Sequence, residues 1–201
     1  MPPDERRAAV IAATEPLLRE RGRDVSTREI AEAAGIAEGT IFRVFASKDE
    51  VIDAVLDDAF DPRVTYQALN GIDRTLELDT RVANAVAILQ QRLNRVFGLI
   101  YALGFRQPPD SGESKGNPNH RRPRPHDRAL ETSALAAVLA PDVDRLAMSP
   151  ERAATTLNAL VLALSHPMLR GDCGEAPRAD PQEIADIFLH GILATTPSEG
   201  T

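Results

Sequence analysis

The chain has 201 residues, 43% of them hydrophobic and only 4% aromatic, with no Trp and a formal net charge of −7. That length holds one large or two small domains with a core of Leu, Ile, Val and Ala, and the net charge opposes unspecific affinity for polyanions. The single cysteine, Cys173, excludes an intramolecular disulfide and a multi-cysteine zinc site. No basic start leads into an apolar run and no stretch is long enough to span a bilayer, so a cytoplasmic protein without membrane attachment is expected. Ala- and Leu-rich composition with few β-branched runs bounded by glycine predicts an all-α fold.

In chain order, Asp4 is the predicted N-cap of a first helix reaching about Arg21. Val10, Ile11, Thr14, Leu17, Leu18 and Arg21 recur at helical spacing along one stripe. Pro16 lies inside this helix and is expected to bend it near Ala12, at up to about 3 kcal/mol. Gly22 ends it. Arg6 and Arg7 precede the stripe, and two readings stand for them: solvated surface, or contacts to an anionic partner.

Ser26 and Thr27 are capping residues, followed by Glu29 and Glu32 to favour a helix start. Ile30, Ala31 and Ala34 share the inward face, and the two alanines let a crossing helix approach. Gly35 takes the left-handed backbone of a helix stop, and Ile36 plugs the turn. A second helix begins near Ala37 and turns Ile41, Val44 and Phe45 to the same core. Its other face carries Glu38, Gly39, Thr40, Phe42 and Arg43. The spacing is that of a helix-turn-helix with a mixed polar and aromatic outer face. Ser47 then caps a third helix, with Glu50 as the reciprocal partner. Lys48 stands at the positive end of that helix, against its dipole, so an anion such as a phosphate would account for it.

The run Ser26 to Ile52 resembles the DNA-binding domain of the TetR family of transcriptional repressors. Ile30-Ala31, Ala34-Gly35-Ile36, Gly39-Thr40-Ile41-Phe42, Phe45, Ser47-Lys48 and Asp49-Glu50 carry the resemblance. Phe42-Arg43-Val44 departs from the aromatic-His-Tyr run common in the family: Phe42 lacks a phosphate-bonding hydroxyl, and Arg43 gains a guanidinium for guanine or backbone. The resemblance implies a DNA-binding domain over 1–60 and a helical ligand-binding and dimerisation domain over 61–201, about nine helices in all. It also implies a homodimer on a palindromic double-stranded operator, released by a small apolar effector. Phosphate contacts are expected from Thr27, Thr40 and Lys48, and base reading from Arg28, Gly39, Phe42 and Arg43. Glu38 either caps the second helix or accepts from cytosine. Residues 1–50 hold eight basic against ten acidic side chains, so weak non-specific binding and a modest salt dependence are expected.

Further along, Val51, Ile52, Val55, Leu56 and Ala59 carry the third helix to Asp61-Pro62, which breaks it. Val64 to Leu69 reads as a short helix closed by Asn70-Gly71. Asp79 to Gly104 is the long central helix, with Val82, Val86, Leu89, Leu93, Val96, Phe97, Ile100, Tyr101 and Leu103 at helical spacing. Leu93, Phe97, Ile100 and Tyr101, with Leu160 and Leu164, are the candidate walls of an effector pocket; for Phe97 and Tyr101 the competing reading is that of plain core aromatics. Residues 106–127 read as a loop dense in Pro and Gly, carrying the basic run His120 to His126, either as solvated linker or as an arm for phosphates.

Arg128 to Leu139 is an Ala-rich helix ended by Pro141, and Asp142 to Met148 adds a turn or short helix. Ser149-Pro150-Glu151 and Asp180-Pro181-Gln182-Glu183 start the last two helices, each with Pro at the first position, separated by a loop over 171–178. The last two helices either pack wholly inside one subunit or pair with a second copy as a four-helix bundle; the resemblance implies the second, with Leu157, Val161, Ile184, Phe188, Gly191 and Ile192 as the candidate dimer interface. His166 and His190 read as structural residues. The sequence shows no clustered catalytic trio, phosphate loop or metal-ligand pair on one helix. An enzyme is therefore not expected, nor a metal or cofactor. A dimeric interaction protein whose helix-turn-helix does not bind DNA remains the competing class.

Overall fold

A computed structural model describes residues 2–104, 125–166 and 179–190. The basic run at 120–124, Cys173, the 171–178 loop, Gly191, Ile192 and the tail from 195 lie outside the described residues, as do the side chains of 125–128. The all-α expectation holds: nine α-helices and two 3₁₀ turns make up the described residues, without a strand. No described helix is long and apolar enough to cross a membrane.

The residues fall into two compact units, Met1–Asp61 with Asn94–Arg124, and Pro62–Leu93 with Pro125–Thr201. The chain changes unit at Asp61-Pro62, beside the proline predicted to break the third helix. The stretch from Asn94 rejoins the first unit, which a boundary drawn once near residue 60 does not provide for. The reason is packing: Leu99 and Leu103 are buried among the apolar side chains of the first unit. An uninterrupted helical period cannot show that the two ends of one helix enter different cores.

In the first unit, α1 spans Pro3–Arg21, α2 Thr27–Ala33, α3 Glu38–Ile41 and α4 Lys48–Ala59. Helix α1 begins at Pro3, with Pro2 rather than Asp4 at the cap position and no capping side chain. It runs on through Pro16, which has no N–H to give the Ala12 carbonyl. Val10, Thr14 and Leu18 are its buried stripe, and the Thr14 hydroxyl donates to the Val10 carbonyl at 2.6 Å. They close on Val25, Ile30, Ile41, Phe45, Val51, Ile52 and Val55. Gly22 ends α1 at φ 59°, and a Cβ there would stand 2.5 Å from the Ala102 carbonyl oxygen.

In the second unit, α5 is Pro62–Asn70, α7 Pro125–Leu139, α8 Pro150–Ser165 and α9 Pro181–His190. Helix α6, Leu78–Ala102, gives this unit its residues up to Leu93. Helix α7 starts three residues before the Arg128 expected, because Pro125 suits a first helical position whose N–H has no intrahelical partner. It packs between α5 and α8, and α9 lies on α8. Val82, Val86, Leu89, Leu135, Leu139, Leu157, Val161 and Ile184 form the core. Two charges are sunk there: Arg81, 2% exposed, pairs with Asp142 and donates to the Arg74 carbonyl at 2.8 Å, and Glu131 pairs with Arg92.

Candidate nucleic-acid interface

Helix α2 is held at its start by a closed capping box. The Ser26 hydroxyl accepts the Glu29 N–H at 3.2 Å, and Glu29 accepts the Ser26 N–H at 2.8 Å. The Ser26 N–H and hydroxyl both donate to the Glu29 carboxylate and, with the charge of Arg21, keep it below its ordinary pKa. Gly35 follows at φ 65°, and the Ile36 N–H donates back to the Ala31 carbonyl at 3.0 Å. The turn then opens into α3, four residues long and without a side-chain cap. It is shorter than the rod through Phe45 that the apolar spacing suggests. Phe42 is its C-cap, and the Val44 and Phe45 N–H groups both donate to the Ile41 carbonyl, at 3.0 and 2.9 Å. Burial of Ile41 and Phe45, at 0% and 2% exposure, fixes this segment from beneath.

Above that floor, Phe42 is 52% exposed, and Arg43, Gly39, Glu38 and Arg28 are also exposed. Nothing within 4 Å would meet a Cβ on Gly39; packing within the chain does not require a glycine there. The cations divide sharply. Arg21 pairs with Glu29, Arg23 with Asp49 at 3.5 Å, and Arg19 and Arg95 with Glu15. Burial alone would raise the Glu15 carboxyl, but the hydrogen bonds and charges of Arg95 and Arg19 bring it below the usual range; the Arg95 guanidinium is held still more firmly protonated by Glu15 and Asp58. The side chains of Arg28 and Arg43 make no hydrogen bond or ion pair among the described residues.

Two of the three expected phosphate ligands have their side chains engaged within the chain. The Lys48 ammonium donates to the Arg23 and Val25 carbonyls at 2.9 and 3.1 Å, so carbonyl oxygens account for the cation at the start of α4 without an outside anion. The Thr27 hydroxyl donates to the Glu38 carboxylate across the turn. Glu38 therefore ties α2 to α3 and is not the cap of its own helix, and the Thr27 hydroxyl proton is engaged. Thr40 is half-buried, and its N–H donates to the Ala37 carbonyl at 2.8 Å.

In the second unit the expected residues do not gather. Leu93, Leu160 and Leu164 flank its core, whereas Phe97, Ile100 and Tyr101 belong to the first unit, with Tyr101 47% exposed. A hollow of about 570 Å³ lies elsewhere, along α7 and the start of α8, lined by Ala129, Thr132, Ser133, Ala136, Ala137, Ala140, Pro150 and Glu151. Of the expected interface, Leu157, Val161 and Ile184 are fully buried inside the unit, and Phe188 packs on the same core. The most apolar face of a helix goes to its own core first. The faces left outside are Ala159, Leu162 and Ala163 on α8, with Leu162 43% exposed.

Asp186 and His190, four apart on α9, have a spacing compatible with metal ligation that the sequence reading did not single out. With Asp79 they bring donor atoms within 4.8 Å of one another. Their present bonds explain the grouping: His190 Nε2 lies 2.9 Å from Asp79, and Asp186 accepts the Gln182 amide at 2.9 Å.

Residues 10–55 match the family model described as bacterial regulatory proteins, tetR family. The whole fold is similar to solved structures. One is a TetR/AcrR-family transcriptional regulator from Thermobifida fusca, with TM-score 0.63, 18% identity, and 94% of this chain and 100% of that one covered. A transcriptional regulator from Rhodococcus sp. Rha1 gives TM-score 0.57, 22% identity and 94% of each chain. NalD of Pseudomonas aeruginosa, the secondary repressor of the MexAB-OprM multidrug efflux pump, gives 0.54 and 21%, covering 94% and 98%.

Proposed function

We propose that this chain, a TetR-family regulator by its N-terminal domain and fold, binds a palindromic operator as a homodimer and represses transcription from it. The observation that carries the reading is the pair Phe42 and Arg43, standing out from a buried Ile41–Phe45 floor with the guanidinium unengaged. A helix-turn-helix lays such a surface in the major groove, and two copies read half-sites one helical turn apart. Arg43 and Arg28 read bases or grip phosphates, Phe42 meets a thymine methyl, and Gly39 allows close approach. Phosphate contact comes also from the N–H groups at the start of α3, which no side chain caps. The outer α8 face of Ala159, Leu162 and Ala163 joins the two copies.

The released state follows binding of a small, mainly apolar effector in the second unit. The α7–α8 hollow has the size of a ligand site and combines an alanine floor with the Thr132 and Ser133 hydroxyls. Effector and operator oppose each other only through different affinities for two states of the dimer. The decisive experiment is selection of duplexes from a random pool, repeated with lipophilic ligands. A two-fold symmetric site should be enriched and lost with the effector. No enrichment from the pool would leave the competing class, a dimeric interaction protein with a silent helix-turn-helix, which the acid excess and the many engaged arginines favour.

A further inference from the structure

Arg7, on the first turns of α1, reaches 37 residues ahead to the segment that follows α3. Its Nη1 donates to the Val44 carbonyl at 3.0 Å, and its guanidinium carbon stands 4.2 Å from the centroid of the Phe45 ring. The same Nη1 lies 3.5 Å from a Glu50 carboxylate oxygen. The other Glu50 oxygen accepts the Ala46 N–H at 2.6 Å, and the Glu50 N–H donates to the Ser47 hydroxyl at 3.1 Å. Consecutive residues from Val44 to Ser47 are thereby tied, directly or through Glu50, to one guanidinium.

The need for such a tie is local. Helix α3 has a single turn, too short to be stable by itself. Past Ile41 the chain leaves the helix, and the two exposed residues Phe42 and Arg43 lie between that exit and Val44. Their direction depends on how the chain re-enters the core at Val44 and Phe45. A planar cation that stacks on a ring while donating in plane to a carbonyl fits this task, and an ammonium does not.

We propose that Arg7 is a positioning residue for the reading segment: it acts on DNA through Phe42 and Arg43 and not as a phosphate ligand. The inference rests on the DNA-binding reading given above, and its test separates the two. Full-length wild type, Arg7→Lys and Arg7→Gln are titrated with the selected operator and with an unrelated duplex between 50 and 200 mM salt, and thermal midpoints are measured alongside. Both variants should lose about tenfold or more for the operator, change less than about twofold on the unrelated duplex, and keep the wild-type salt slope. Arg7→Lys at wild-type affinity, with Arg7→Gln flattening the slope by roughly 0.9 per phosphate lost, would make Arg7 a phosphate ligand. Equal losses on both duplexes that follow the fall in thermal midpoint would reduce it to a fold-stabilising residue. Wild type that prefers no sequence overturns the DNA-binding reading itself, whatever the variants do.

Discussion

In the proposed DNA-binding reading, recognition rests on Arg43 and Arg28, because Arg7, Arg21, Arg23 and Lys48 around them are already engaged. Replacing Arg43 by Ala should cost about 1–3 kcal/mol on the operator and broaden the bases accepted at one position of each half-site. Anisotropy titrations against a panel of single-base variants read both effects, and unchanged selectivity would remove Arg43 from the reading set. The exposure of Phe42 and Arg43 was legible in the sequence, since inward Ile41 and Phe45 leave only one outward face. The engagement of Thr27, Lys48 and Arg7 was not. Their partners are Glu38, the Arg23 and Val25 carbonyls, and the Val44–Glu50 segment. Such pairings follow from the crossing of helices and leave no mark in local spacing. Side-chain type announced that these residues need an acceptor; it did not say whose.

At the scale of elements, the glycine stops were read correctly but are not equivalent. Both Gly22 and Gly35 have positive φ, yet a Cβ on Gly35 meets nothing within 4 Å, while one on Gly22 meets the Ala102 carbonyl. Gly35→Ala should therefore cost about 1–2 kcal/mol, the left-handed penalty alone. Gly22→Ala should cost distinctly more, because backbone and not a pliable side chain blocks the new methyl. Urea midpoints of the two variants order them; equal midpoints would show that the approach of α6 to Gly22 is loose. The capping box gives a pH dependence of known sign. Glu29 has a folded pKa below its unfolded value, so its contribution is complete above the ordinary carboxylate range and fades as pH falls through the folded value. Gln at this position keeps the reciprocal bond to the Ser26 N–H without titrating. Glu29→Gln should then show a shallower loss of midpoint between roughly pH 6 and 3 than wild type, and parallel curves would deny the box its part in acid sensitivity. The short α3 was the element least legible, since Val44 and Phe45 keep helical spacing while the chain has already left the helix.

For the whole molecule, the apolar faces that the sequence offered for association turn into the chain's own core. Leu157, Val161 and Ile184 form the strongest apolar stripe of α8 and α9, and each is buried within its own subunit. A chain that folds before it associates must fill its own core first, so the proposed joining surface is the weaker, small-residue face outside it. Two charge insertions on one helix separate these roles. Leu157→Glu places an unpaired carboxylate in the core and should abolish the folded state, with loss of the cooperative thermal transition. Leu162→Glu starts from a side chain 43% exposed in the single subunit, so the subunit should keep its fold, while a two-fold contact would oppose the new carboxylate to its symmetry mate. Sedimentation should then show monomers, and operator affinity should fall by roughly tenfold or more, because each half-site must be held by one reading head without the effective concentration of its twin. A folded Leu162→Glu protein that still sediments as a dimer and binds the operator like wild type would exclude this face of α8 from the interface.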